Sequence, residues 1–121
     1  MATVNIINVT SILPFTINGA VTTSNQNIID VATDKLYKIN TIIVANIDGT
    51  NSADVSISIS TDNDSSNYAI ASTVAVPADS TLVVIDKNSS FYLDETDILK
   101  IIGSANGDLE YTVSGEILDD A

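Results

Sequence analysis

The 121-residue sequence contains no histidine, no cysteine, no arginine and no tryptophan. Without histidine, the chain lacks the commonest general base and metal-binding side chain. Without cysteine, it has no disulfide, no thiolate zinc site and no cysteine nucleophile. Catalytic sites of the Ser-His-Asp or Cys-His type are therefore excluded.

Positive charge is also scarce, because four lysines stand against sixteen acidic residues and the net charge is -12. Nucleic-acid affinity comes largely from cations that release counterions, so we expect no nucleic-acid partner. The same shortage disfavours an anionic membrane. We expect the acidity to serve solubility and to keep copies of the chain apart.

Long apolar runs and a basic leader are missing as well. No run approaches the ~20 apolar residues of a membrane-spanning helix, so we expect no membrane partner. The start, MATVNIINVT, lacks the basic region of a secretory signal, and we expect none. The hydrophobic fraction of 45% is nevertheless too high for a disordered acidic tail.

What is abundant is valine, isoleucine and threonine, in short runs that recur about every 8 to 12 residues. Links such as IDGTNSAD, PADST and SANGD carry turn residues. Because these links are short, we expect most sequence neighbours to pair as antiparallel hairpins. The pattern predicts an all-β fold, a two-sheet antiparallel β-sandwich of jelly-roll or immunoglobulin-like type with about eight or nine strands.

The chain divides into an N-terminal strand or arm over residues 1–10, a β-sandwich domain over 11–118 and an acidic tail over 119–121. In the longest run, 36–47, bunched isoleucines indicate a strand buried on both sides or a bulge. Gly103 and Gly115 suggest bulges or close backbone approach. The residues predicted to face the core are Ile42, Val44, Ile57, Ile59, Val83, Ile101 and Val113.

Paired carboxylates are the one remaining route to catalysis, as in glycosidases. The candidates are Asp94, Glu95 and Asp97 in LDETD, or Glu110 with Glu116. Glycosidases usually hold sugars on aromatic platforms, whereas this chain has only six aromatic residues. We interpret these carboxylates as solvated turn residues and predict no catalytic residue.

Two acidic links are weak candidates for calcium. TDNDSSN holds Asp62 and Asp64, and IDGTNSAD holds Asp48 and Asp54. Calcium requires six to eight oxygen ligands, and neither link has the EF-hand spacing with its distal glutamate. Asx turns explain both links, so we predict no bound metal and no cofactor.

The start of the chain is a candidate interaction segment. It carries no charged side chain, and four of its residues are apolar: Val4, Ile6, Ile7 and Val9. An exposed apolar edge invites aggregation. We therefore expect this segment to be covered, either by its own domain or by a neighbouring subunit.

A family resemblance rests on the order of several segments between residues 36 and 118. LYKI at 36–39 leads into IIVAN at 42–46, followed by VPADSTL at 76–82, FYLDETD at 91–97 and LEYTVSGE at 109–116. This order resembles small virion structural proteins of tailed bacteriophages, especially phages of cyanobacteria and other marine bacteria. The sequence departs from that pattern at Thr96-Asp97, where the family usually has Gly-Asp.

The resemblance implies a non-enzymatic part of a virion, made in the host cytoplasm. A capsid decoration (cement) protein is the first interpretation, binding as a homo-oligomer, a trimer, to the major capsid protein or another virion subunit. A neck, tail or fibre module that binds a tail protein or a host glycan is the second. A stand-alone carbohydrate-binding sandwich is the third.

Overall fold

A computed structural model describes residues 4–61 and 63–120 of the chain. These residues form strands and one short 3-10 helix, Lys87–Ser89. The strands are β1 (Ser11–Ala20), β2 (Gln26–Asp30), β3 (Lys35–Asn46), β4 (Ala53–Thr61), β5 (Ser66–Val76), β6 (Thr81–Ile85), β7 (Phe91–Leu93), β8 (Ile98–Gly103) and β9 (Leu109–Asp119). The predicted all-β fold with eight or nine strands is confirmed.

The strands form two antiparallel sheets. Sheet I has the order β1-β9-β3-β6, with β7 also paired to β3, and sheet II has the order β2-β8-β4-β5. The chain can be described as one long antiparallel hairpin that is folded into two layers. Its paired strands, from the tip outward, are β4–β5, β3–β6, β2–β8 and β1–β9. This order is that of a jelly roll. The immunoglobulin-like alternative does not fit, because it keeps its first two strands in one sheet.

The prediction that most sequence neighbours pair as hairpins is wrong. Among the described strands, only β4 and β5 are both consecutive and paired. The two sheets of a sandwich lie only about 10 Å apart. A short link can therefore carry the chain across to the other sheet as easily as back along the same one. The link at residues 77–80 does this between β5 and β6.

Strand β3 lies in the interior of sheet I and contains the predicted bulge. Its pairing with β9 shifts register between Ile39 and Thr41. Ile39 and Ile42 are consequently both buried although they are three residues apart. Gly115 lies opposite Ile39, and a Cβ atom there would collide with the carbonyl oxygen of Lys38. The close backbone approach predicted for Gly115 is confirmed.

The main core lies between the sheets. Five of the predicted core residues are fully buried, and Ile59 is half-buried against them. Val83 was predicted to be inward but is 57% exposed. Its strand, TLVVI, is apolar at four successive positions, so the sequence pattern does not show which of its side chains face the core. Leu82 and Val84 pack against the core instead. The five buried residues are Ile42, Val44, Ile57, Ile101 and Val113.

A smaller apolar cluster lies where the two ends of the chain meet. Residues 4–10 form no strand, so the strand alternative for the start of the chain is wrong over these residues. Val4 is buried against Leu36 and Leu118, which are cross-strand partners.

Strand β9 continues to Asp119, one residue into the predicted acidic tail. The Asp119 carboxylate lies 2.7 Å from the Lys35 ammonium.

Candidate functional site

The LDETD carboxylates serve the link between β7 and β8. The Asp94 carboxylate accepts a hydrogen bond from the Glu95 amide at 2.8 Å, and the Asp97 carboxylate accepts one from the Asp94 amide at 3.0 Å. Glu95 is buried, so its interpretation as a solvated residue is wrong, and its carboxylate accepts from the Asp34 amide at 3.1 Å. All three therefore stabilise turns, and Glu95 also ties two links together at one end of the sandwich.

Glu110 and Glu116 are placed too far apart to act as a pair. Both lie on β9, six residues apart. A strand rises about 3.4 Å per residue, which separates them by roughly 20 Å. The two carboxyl groups of a glycosidase stand about 5 to 9.5 Å apart. This arrangement does not form a glycosidase pair.

Asp64 is held by a lysine. Its carboxylate lies 2.6 Å from the Lys100 ammonium and accepts a hydrogen bond from the Ser60 hydroxyl at 2.6 Å. These two partners, Lys100 first, lower the pKa of Asp64 from its ordinary value of 3.8. The charge of this carboxylate is therefore already balanced by a lysine. The other calcium candidate of this link, Asp62, lies outside the described residues.

Asp48 closes its own turn. Its carboxylate accepts hydrogen bonds from the backbone amides of Thr50 at 2.8 Å and Asn51 at 3.3 Å, and these lower its pKa. Asp54 lies in β4, whereas Asp64 follows the opposite end of that strand. Within residues 4–61 and 63–120, no group of three or more acidic side chains is arranged to hold a metal ion.

The Asp64 ion pair makes the stability of the fold depend on pH. A lowered pKa in the folded state means that the pair stabilises the protein above 3.8 and that this contribution is lost as the pH falls through the lowered pKa. We expect Asp64→Asn to lower the melting temperature slightly at neutral pH. The difference from wild type should vanish in acid.

Thermal melts recorded in steps from neutral pH to below 3.8 measure this difference. The control is Asp30→Asn, an exposed carboxylate without an ion pair among the described residues. A melting difference for Asp64→Asn that stays constant across the whole pH range would contradict the role given to this pair.

Exposed aliphatic side chains occur where the N-terminal segment enters β1, and those of Ile12 and Leu13 point to opposite faces of this edge strand. Ile6 and Ile12 are each 54% exposed, Leu13 is 60% exposed and Ile7 is 87% exposed. We call these four residues the N-terminal patch. Strand β1 is a free edge of sheet I and carries no charged side chain. The patch therefore consists of uncharged side chains, and it lies beside the Asp119 carboxylate, which is paired with a lysine.

The structure divides the predicted interaction segment into two roles. Val4 and Val9 pack on the protein's own Leu36–Leu118 cluster, whereas Ile6 and Ile7 point into solvent. The sequence prediction missed Ile12 and Leu13. Their signal was the uncharged SIL triplet at residues 11–13, directly before the alternating part of β1.

Within the described residues, no helix is long and apolar enough to cross a membrane. No family model and no curated protein matches the sequence.

Two solved structures share the fold. One is an endospore appendage of Bacillus, from a family of disulfide-linked pili: the TM-score is 0.56 at 15% identity, covering 92% of this chain and 88% of that one. The other comes from the T13 particle of infectious bursal disease virus: the TM-score is 0.52 at 11% identity, covering 92% of this chain and 32% of that one.

This chain thus spans about a third of the viral protein. At these identities the likeness shows a common fold. That fold serves a pilus subunit in one case and a viral particle in the other. The pili are disulfide-linked, whereas the present chain has no cysteine and cannot form such links.

Proposed function

We propose that this chain is a non-enzymatic structural subunit of a bacteriophage particle, a capsid decoration protein that binds the assembled head as a homotrimer. The resemblance of residues 36–118 to small phage virion proteins supports the phage assignment. The jelly roll, shared with a viral particle and a pilus subunit, is compatible with a role in assembly. The observation that carries the proposal is the N-terminal patch.

The patch indicates a surface that is covered in the working state. Exposed aliphatic side chains beside an unpaired strand edge favour association. The net charge of -12 opposes contact between free copies. A protein with both properties stays dispersed until a binding surface covers its patch. An assembled shell offers such a surface at many symmetric positions.

The outward face of sheet I is also suited to packing against another surface. Small polar side chains cover its middle, where the Thr16 and Ser114 hydroxyl oxygens lie 3.2 Å apart and Thr41 is the next cross-strand neighbour of Ser114. Such short side chains do not project far from the sheet. This face can approach a neighbouring subunit closely.

The decoration role follows from mass action. A subunit that binds the closed shell, and not its dissociated parts, stabilises the shell by RT ln(1 + [L]/Kd). This amounts to about 2.7 kcal/mol per site when the free subunit is at about 100 times Kd. Binding through several copies of one oligomer raises the effective concentration of each contact.

A glycan-binding role finds less support. The strongly exposed aromatic residues of the described chain are Tyr68, at 64%, and Tyr92, at 49%. Tyr68 lies in β5 of sheet II and Tyr92 in β7 of sheet I, so they do not form one stacking platform.

The proposal is tested by adding purified protein to expanded heads that lack it. We expect the protein to sediment with the heads and to raise their melting temperature. The double variant Ile7→Asp/Leu13→Asp should bind at least about tenfold more weakly, because it places charge in an apolar contact. It should fold normally, since both side chains are exposed.

The control is Tyr68→Asp, which places one charge at an exposed aromatic residue on the other sheet. We expect this variant to bind like wild type. Wild-type protein that binds purified tails or an arrayed glycan but leaves the heads unchanged would overturn the proposal.

A further inference from the structure

Two of the four lysines line a single hollow on the outward side of sheet I. Lys38 comes from β3 and Lys87 from the 3-10 helix, and the hollow measures about 410 Å³. We call it the lysine hollow. Its other lining residues are Asn40, Thr41, Ser90 and Glu116.

These two lysines are the available cations of the described chain. Lys35 is paired with Asp119 at 2.7 Å, and Lys100 is paired with Asp64 at 2.6 Å. Neither Lys38 nor Lys87 forms an ion pair within residues 4–61 and 63–120. Glu116 is the cross-strand neighbour of Lys38, so the hollow holds two positive charges and one negative charge.

The backbone around the hollow is held in place. Asn40 and Thr41, which line the hollow, lie at the β3 bulge, and Gly115 lets β9 approach that bulge closely. The 3-10 helix that carries Lys87 has a capping box. The Asp86 carboxylate accepts from the Asn88 amide at 2.9 Å, and the Ser89 hydroxyl oxygen accepts from the Asp86 amide at 3.1 Å. The hollow is thus preformed, which lowers the ordering cost of binding.

Three aspartates that form no ion pair within the described residues lie on the links at one end of the sandwich. The Asp79 amide donates to the Asp48 carbonyl at 3.1 Å, and the Ile47 amide donates to the Asp108 carbonyl at 2.7 Å. These bonds bring three aspartates of three different links together. We call Asp48, Asp79 and Asp108 the acidic end.

We infer that the lysine hollow binds the acidic end of a second copy of this chain. This inference rests on the self-association in the proposed function and names its electrostatic contact. In a protein with a net charge of -12, most approaches between copies are repulsive. The hollow is the described region where cations are free to meet the carboxylates of a neighbour, so complementarity selects this approach.

The inferred contact has a defined symmetry. The hollow and the acidic end are different surfaces, so each copy uses both and the contact is heterologous. Head-to-tail contacts of this kind close into a ring when the rotation between copies permits. The proposed trimer is such a ring.

The first test removes the two charges. Lys38→Gln/Lys87→Gln should weaken self-association about tenfold, the effect of two partly exposed ion pairs. The matched control, Asn25→Asp/Asn67→Asp, lowers the net charge by the same two units at exposed positions outside the hollow. The control should self-associate more strongly than the lysine variant, because general repulsion increases equally in both and only the lysine variant loses the cations of the hollow.

The second test uses complementation. Asp79→Asn/Asp108→Asn disables the acidic end but leaves its hollow intact, and Asn tolerates the positive φ of 57° at Asp79. Asp48 is left unchanged because it closes its own turn. At a protein concentration near the dissociation constant of wild type, each double variant alone should sediment mainly as monomer. An equimolar mixture should form a heterodimer and nothing larger, since only one intact contact remains.

The outcomes separate this inference from the proposed function. A wild-type protein that stays monomeric at all concentrations would overturn the proposed self-association and this contact with it. Wild type that assembles while the lysine variant assembles equally well would overturn this inference alone. Normal self-association of the lysine variant together with lost head binding would also overturn it, because the hollow would then serve a different partner.

Discussion

Replacing Ile42 or Ile57 with alanine is expected to lower the free energy of unfolding by about 2 to 5 kcal/mol. Both side chains are fully buried, Ile42 in β3 of sheet I and Ile57 in β4 of sheet II. Truncation removes three methyl or methylene carbons and leaves a cavity that the sheets cannot close. Because a domain has a total stability of about 5 to 15 kcal/mol, the loss is a large fraction of it.

Val83→Ala is the matched control. Val83 is apolar and lies in a strand of the same sheet as Ile42, but it is 57% exposed. We expect its replacement to change stability by less than about 0.5 kcal/mol. Chemical denaturation of the three variants measures the effects. Equal losses of stability for Val83→Ala and Ile42→Ala would contradict the side-chain orientations described for β3 and β6.

Gly115→Ala is expected to destabilise the protein by about 1 to 3 kcal/mol or more. The added methyl group would overlap the carbonyl oxygen of Lys38 and lie 3.1 Å from the ring of Phe15. The first obstacle is backbone in a strand paired on both sides, so no side-chain rotation relieves it. The paired strands must separate at the β3 bulge.

The control is Gly49→Ala, in the link between β3 and β4. A Cβ atom there meets the Asp79 carboxylate at 3.4 Å, an ordinary contact. We expect the stability of this variant to be unchanged or slightly raised, because alanine restricts the unfolded chain. Melting curves compare the two variants. A Gly115→Ala protein that melts with wild type would contradict the close approach of β9 to the bulge.

The strand positions were predictable because their signals are local. Strands β6 and β7 coincide with the apolar runs TLVVI and FYL, since turn residues flank each run. The pairing order was not predictable, because a crossing link and a hairpin link have similar lengths and compositions. PADST has the chemistry of a hairpin turn, yet it leads from sheet II to sheet I.

The contacts at the candidate sites also differ in how far apart their residues lie in the sequence. The Asx turn at Asp48 involves Thr50 and Asn51, only a few residues away, and the sequence predicted it. The pairing of Asp64 with Lys100 joins residues 36 positions apart.

The lysine hollow joins more distant residues still, because β7 pairs with β3 and brings the segment after β6 beside Lys38. Both contacts depend on the order of the strands in the sheets. The sequence alone therefore could not show them.

The most direct test of a structural role is a reconstruction of the phage particle that we propose contains this chain. We predict density for the jelly roll at symmetric positions on the outside of the head, grouped in threes. The N-terminal patch should face the shell, and the lysine hollow should face a neighbouring copy. A particle map that shows the chain on the neck or tail, or a purified particle that lacks it, would contradict a capsid decoration role.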